Sequence, residues 1–320
     1  MATRYLKKAL NLPMLTRRRF LAQSAAGAFA LSGCPILSAS FAERVGDRAP
    51  LPIDSHVHVF ERNPRFPFAP GAHPPAEDAP PEKLIALMRS NGVARTVIIQ
   101  VIHYKWDNSF LASVLKRYPT LFHGVCRVDP EDPAAPEELS RLTEAGFRGV
   151  RLSPAADATG DWIRGPLMPP LWRRCSELKV PMTVLVPATR LPDLVPLIEA
   201  NAELIVVIDH MADCPLDRPD LLEHLLGLAR FPLVFVKISD MWSLSKQPYP
   251  YADAQDQVKR LLERFGAQRL MWATNWPVSL AQLPYARIVA LYRDRMSFLT
   301  PEEREAILSG TVERIWPFGL

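Results

Sequence analysis

The sequence predicts an α/β fold, a single (β/α)8 barrel of the TIM type with an extra C-terminal helix. Three observations lead there. From residue 51 onward, eight short β-rich runs alternate with eight segments whose apolar residues recur at helical spacing. Several of the runs, such as Val97-Ile98-Ile99 and Ile205-Val206-Val207-Ile208, are almost continuously apolar, as strands buried on both faces of a parallel sheet must be. The alternation fills roughly 280 residues, the size of one such barrel. An open doubly wound sheet would usually carry a glycine-rich phosphate turn, and no G-x-G-x-x-G or Walker loop occurs.

In chain order, the strand runs are Leu51–His58, Thr96–Ile102, Leu121–Val128, Phe147–Leu152, Pro181–Val186, Leu204–His210, Leu233–Ile238 and Arg269–Thr274. The helical segments between and after them fall at about 81–91, 107–118, 135–145, 166–179, 191–201, 218–230, 252–266 and 285–296. Pro81-Glu82 and Pro219-Asp220 place proline and an acid in a first turn, where the missing N–H costs nothing and the negative charge meets the helix dipole. Thr300-Pro301-Glu302-Glu303 starts a further helix with a capping side chain. With 32 prolines against 14 glycines, the loops should be fixed in shape, and the proline-rich segment 62–80 after the first strand is placed to cover a site.

Residues 1–42 read as an address. Thr16-Arg17-Arg18-Arg19-Phe20-Leu21 resembles a twin-arginine export signal. An apolar run, Leu21 to Leu37, and small residues ending Ser40-Phe41-Ala42 follow it. Two processing routes fit: cleavage after Ala42, or lipid attachment to Cys34 in Leu31-Ser32-Gly33-Cys34. The expected destination is the periplasm or beyond, with the twin-arginine export machinery as a partner and a membrane lipid anchor through Cys34 as the variant. The barrel would then occupy 43–320. Six of the 38 basic residues lie in the first 42, which contain no acid, so the remainder is net −2 and not the +4 of the whole chain. Binding of nucleic acid by a folded basic face is thereby excluded. Cys126, Cys175 and Cys214 are widely spaced in apolar or helical contexts and are expected to be buried, with room for one disulfide at most.

In such a barrel the chemistry sits at the C-terminal ends of the strands. In order these ends carry Asp54-Ser55-His56-Val57-His58, Gln100 with His103-Tyr104, Arg127 with Asp129, Arg151-Leu152-Ser153, Val186-Pro187, Asp209-His210, Lys237-Ile238-Ser239-Asp240, and Thr274-Asn275-Trp276-Pro277. Seven of the eight are polar or charged beside apolar runs, which points to an enzyme. His56 and His58 are two apart on a strand and share a face, so they can polarise a carbonyl or hold a divalent metal. His210 can join them. His73, His123 and His224 are read as surface or structural, and His103 is left open.

Ile53–His58, Val207-Ile208-Asp209-His210 and Leu270-Met271-Trp272-Ala273-Thr274-Asn275-Trp276-Pro277 together resemble the amidohydrolase superfamily, in its amidohydrolase-2 branch. Val97–Asn108, Gly146–Leu152 and the closing Gly310-Thr311 to Phe318 resemble lactonases of the 2-pyrone-4,6-dicarboxylate type within it. The resemblance implies a hydrolase opening a lactone C–O bond, with strand-one and strand-six histidines shaping the site and a strand-eight aspartate activating water. Two departures stand out: Asn275 replaces that aspartate, and Val186-Pro187 stand where metal-dependent members carry a strand-five histidine. Asparagine has no useful basicity. The expectation is therefore a site built from His56, His58, His210 and Asn275, with His210 as base or water-orienter. A divalent metal (zinc if any) would sit on His56 and His58, or the chemistry would be metal-independent. A small anionic substrate would be bound by Arg151 with help from Arg127. Lys237 would stabilise an oxyanion or form a structural ion pair, and Gln100, Tyr104 and Trp276 would shape the pocket. A metal-dependent decarboxylase and a non-catalytic small-molecule-binding barrel are the rivals.

Overall fold

The computed structural model describes residues 51–153 and 162–318. The export segment, with its arginine run and Cys34, lies outside the described residues. Eight parallel strands follow one another round a single sheet in chain order. They are β1 Ile53–Val57, β2 Arg95–Ile99, β3 Phe122–Cys126, β4 Gly149–Leu152, β5 Met182–Val184, β6 Val206–Ile208, β7 Val234–Lys237 and β8 Leu270–Met271. The ring closes just beyond β8, where the His58 N–H donates to Trp276 O at 2.7 Å, the Asn275 N–H donates to His56 O at 2.9 Å, and Val57 pairs in parallel with Trp276. This is the expected barrel, with helices in every expected interval, from Pro81–Asn91 to Tyr285–Asp294.

The differences from expectation lie at strand ends, and they aim the site residues. The sixth strand was expected to reach His210 but stops at Ile208, because the chain enters a left-handed turn. His210, Met211, Ala212 and Asp213 have φ of 49, 52, 57 and 46°, a run that costs non-glycine residues energy and persists only where packing enforces it. Met211 and Ala212 are fully buried, which supplies that enforcement. The eighth strand is two residues long, and Trp272 to Pro277 continue it as irregular chain bonded to β1.

The opposite end of the barrel is plugged by the C-terminal helix. Thr300 caps it in a reciprocal box with Glu303, and the helix runs through a widened turn at Ala306–Gly310 to Ile315. Val312, Ile315 and Trp316 pack into a cluster with Ile53, Val97, Ile99, Val125, Val207, Phe235 and Met271. Gly149 permits this: a Cβ there would meet Val125 at 3.0 Å and the Trp316 indole at 3.3 Å. The three cysteines 126, 175 and 214 are buried and unpaired. No helix among the described residues is long and apolar enough to cross a membrane.

Candidate active site

The site begins with a clamp across the barrel seam. Asp54 is fully buried and accepts hydrogen bonds from Thr274 Oγ1 (2.6 Å), the Thr274 N–H (3.0 Å), the His56 N–H (3.2 Å) and Tyr285 Oη (3.3 Å). It thus fixes β1 to the segment carrying Asn275. Burial raises the pKa of its carboxyl from 3.8 to about 6, against these hydrogen bonds, which lower it. The folded state therefore holds this proton more tightly than the unfolded chain does. The stabilisation is complete below pH 3.8 and is lost as pH rises through about 6. Relative to Asp54→Asn, which does not ionise, the wild type should lose about 2 kcal/mol between pH 4 and 7. Urea unfolding of both proteins at the two pH values measures this, and a difference that stays flat with pH would refute it.

Inside the clamp lies a buried charge cluster. Asp209 Oδ1 is 3.0 Å from Lys237 Nζ and 3.3 Å from His56 Nδ1, while Asp209 Oδ2 accepts the Arg151 Nε–H at 3.1 Å. Burial by itself would raise the carboxyl's pKa, but Lys237, His56 and Arg151 more than offset this and hold it well below the usual range. One carboxylate thus serves two cations that are themselves buried. Burial and the Lys237 charge keep His56 well below the imidazole range, and burial with the Arg151 charge pushes His58 down to about 3. Both shifts favour the neutral imidazole.

Their tautomers follow from their partners. His58 Nδ1 lies 2.8 Å from Ile99 O, which can only accept, so the proton is on Nδ1 and Nε2 is a lone pair. His56 Nε2 is 3.2 Å from that lone pair, and Lys237 Nζ is 3.2 Å from His56 Nδ1. His56 Nδ1 can accept from the Lys237 ammonium or donate to Asp209 Oδ1, and in the second case its Nε2 lone pair converges with that of His58. With its only N–H spent on Ile99, His58 has no donor with which to polarise a carbonyl.

His56, Asp209 and His210 do offer ligand atoms within 4.8 Å of one another. The Lys237 ammonium already stands against two of the three, as a resident cation. With asparagine at position 275 and Val186 after β5, the set has one carboxylate and two imidazoles and no further anionic or imidazole ligand from those two strand ends. Among the described residues, His56, Asp209 and His210 are the set that would hold a divalent ion, and it would compete there with the Lys237 ammonium.

Above the cluster opens a cavity of about 830 Å³, within the range of small-molecule sites. His58, Arg151, His210, Asp240 and Asn275 reach it from the strand ends; residues 75–79 of the proline-rich segment and residues 277–281 wall it. His210 Nδ1 lies 2.7 Å from Ser239 Oγ and 3.5 Å from Asp240 Oδ2, and Asn275 Nδ2 donates to Asp240 Oδ2 at 2.6 Å. His103, left open by the sequence, lines the cavity between the Phe60 and Phe68 rings.

Other sequence candidates stand outside the cavity wall. Gln100 holds the following loop, donating to Asp107 O at 2.6 Å and accepting the Val101 N–H at 3.0 Å. Tyr104 Oη donates to Glu61 O at 3.1 Å. Arg127 is fully buried with its guanidinium 5.4 Å from the Trp106 ring, and its backbone is clamped by Asn108. Trp276 is fully buried behind the wall. Lys237 is the ion pair that sequence reading held open. Sequence reading assigned no role to Asp54, Asp209, Ser239 or Asp240, although each stood at a strand end. Asking which acid neutralises Lys237 and Arg151 would have found Asp209.

A profile of the Amidohydrolase family matches residues 53–318, almost the whole barrel. The chain belongs to the amidohydrolase family. It is 30% identical over 234 residues to an L-fucono-1,5-lactonase of Burkholderia ambifaria, a match covering 71% of this chain and 80% of the other. It is 28% identical over 242 residues to a 2-pyrone-4,6-dicarboxylate hydrolase of Comamonas testosteroni, covering 70% and 76%. Among solved structures, one from Pseudomonas putida described as a 2-pyrone-4,6-dicarboxylic acid hydrolase superimposes with a TM-score of 0.74 at 27% identity, covering 84% of this chain and 98% of that one. The protein is accordingly a lactonase-like amidohydrolase, a hydrolase built on a TIM-type barrel.

Proposed function

We propose that this amidohydrolase is an exported enzyme that opens the lactone of a small carboxylated substrate by metal-independent attack of water. The observation that carries the reading is the cavity lining, in which Arg151 is joined by His210, Asp240 and Asn275. Arg151 is held by Asp209 and is suited to take the substrate carboxylate through charge-assisted hydrogen bonds. The reacting ester would then lie over His210. The buried Lys237–Asp209 pair supplies fixed charge beside His56. Relatives named for lactone opening support the reaction class.

Export rests on residues 1–42, with the twin-arginine machinery as the partner and the periplasm as the destination. The mass of the mature N-terminus distinguishes cleavage after Ala42 from acylation at Cys34.

A second reading, a barrel that binds such a ligand without turning it over, draws on Asn275, whose amide cannot act as a base. One experiment separates the two. Turnover should be measured on sugar lactones and pyrones, with and without a carboxylate, in the presence and absence of chelator. Carboxylated lactones should be opened with kcat unchanged by chelator. Loss of activity on metal removal would refute the metal-independent reading, and tight binding without product would establish the binding barrel.

A further inference from the structure

We propose that the water-activating carboxylate of this enzyme is Asp240, at the end of β7, and that Asn275 holds it in place. The inference rests on the lactone-hydrolase reading and names the base that reading requires. Asp240 lines the cavity, is 9% exposed, and receives the Asn275 amide N–H on Oδ2 at 2.6 Å. Its other oxygen, Oδ1, makes no hydrogen bond of good geometry among the described residues, although the Trp242 indole is near enough to lower the carboxyl's pKa. Asn275 Oδ1, on a side chain 5% exposed, has no partner either.

Buried acceptors without donors are costly and rare. Here two of them belong to directly bonded side chains on the wall of one cavity. A water molecule brings two O–H bonds and can satisfy both, which would place its oxygen beside a substrate anchored at Arg151. Burial raises the Asp240 carboxyl pKa above the ordinary aspartate value, which makes it a stronger base than an exposed carboxylate. Both residues sit in the left-handed backbone region, Asp240 at φ 61° and Asn275 at φ 51°, and this turns their side chains toward each other from adjacent strand ends.

The step is a hydrolysis. The water oxygen bonds to the acyl carbon while one of its protons passes to Asp240 Oδ1. The ring C–O bond then breaks, the departing oxygen takes that proton from Asp240, and the products are the hydroxy acid and the original carboxylate. With the proton handled by Asp240, His210 can accept the Ser239 hydroxyl hydrogen on Nδ1 and present its Nε2–H to the carbonyl oxygen.

The test uses the purified barrel enzyme, chelator, and a lactone that the wild type opens. D240N should lower kcat by about 10²–10⁴ with KM within a few-fold of wild type. Added formate should restore part of the activity of D240A. In the D240N/N275D double variant, which moves the carboxylate to strand eight and the amide to strand seven, activity should recover well above that of D240N. A D240N enzyme retaining kcat within tenfold of wild type overturns the proposal and leaves the lactonase reading intact. A wild type that opens no lactone overturns both. If D240N does not fold, folded D240A that is not rescued by formate overturns the proposal.

Discussion

Replacing Asp209 by alanine should destabilise the barrel by about 3–5 kcal/mol, the cost of leaving buried charge without its partner. Asp209 is fully buried and is the counter-ion of Lys237, also fully buried, and of Arg151, 4% exposed. Without it, two cations stand in a low-dielectric interior beside neutral histidines, and desolvation is no longer offset. Combining Asp209→Leu with Lys237→Met should cost less than the sum of the single changes, because one orphaned charge is removed with its partner. Urea midpoints of the four proteins give the coupling. A fully additive double variant would show that Lys237 does not depend on Asp209.

The second large effect is expected at His210, in activity and not in stability. His210→Ala should reduce kcat on a lactone by about 10²–10³, the usual consequence of removing one preorganised group at a developing oxyanion. KM should change little, since the carboxylate anchor is Arg151, on β4. Ser239→Ala, which takes away the 2.7 Å partner of His210 Nδ1, should give a smaller loss of the same kind. Steady-state kinetics of both variants decide this. A rise in KM at unchanged kcat in His210→Ala would place His210 in ground-state binding instead.

Much of the architecture was legible because it depends on local pattern. Continuous apolar runs such as Ile205–Ile208 can only be strands covered on both sides, and their alternation with amphipathic segments leaves few folds of this length. The strand-end rule then pointed to His56, His58, Arg151, His210 and Asn275, and all five border or underlie the cavity. The same rule overreached at Gln100, Tyr104, Arg127 and Trp276. A residue at a strand end faces the cavity only if the following loop lets it, and Gln100 is spent holding its own loop at Asp107 and Val101. The run of left-handed residues from His210 to Asp213 was not legible at all. No glycine marks it, and it is enforced by the packing of Met211 and Ala212.

By itself, then, the sequence determined the barrel, its closing C-terminal helix and the inventory of polar groups at its mouth, because hydrophobic periodicity and strand order are properties of the chain. Only the tertiary structure decided how those groups are used. Lys237 became the resident cation because Asp209, 28 positions earlier in the chain, lies across from it at 3.0 Å. His58 keeps its proton on Nδ1 because Ile99, on the neighbouring strand, offers only a carbonyl. Asn275, which read as the loss of a base, stands 2.6 Å from a carboxylate on the next strand. Protonation, tautomer and pairing depend on distances of about 3 Å between residues far apart in sequence, and no local pattern encodes those distances.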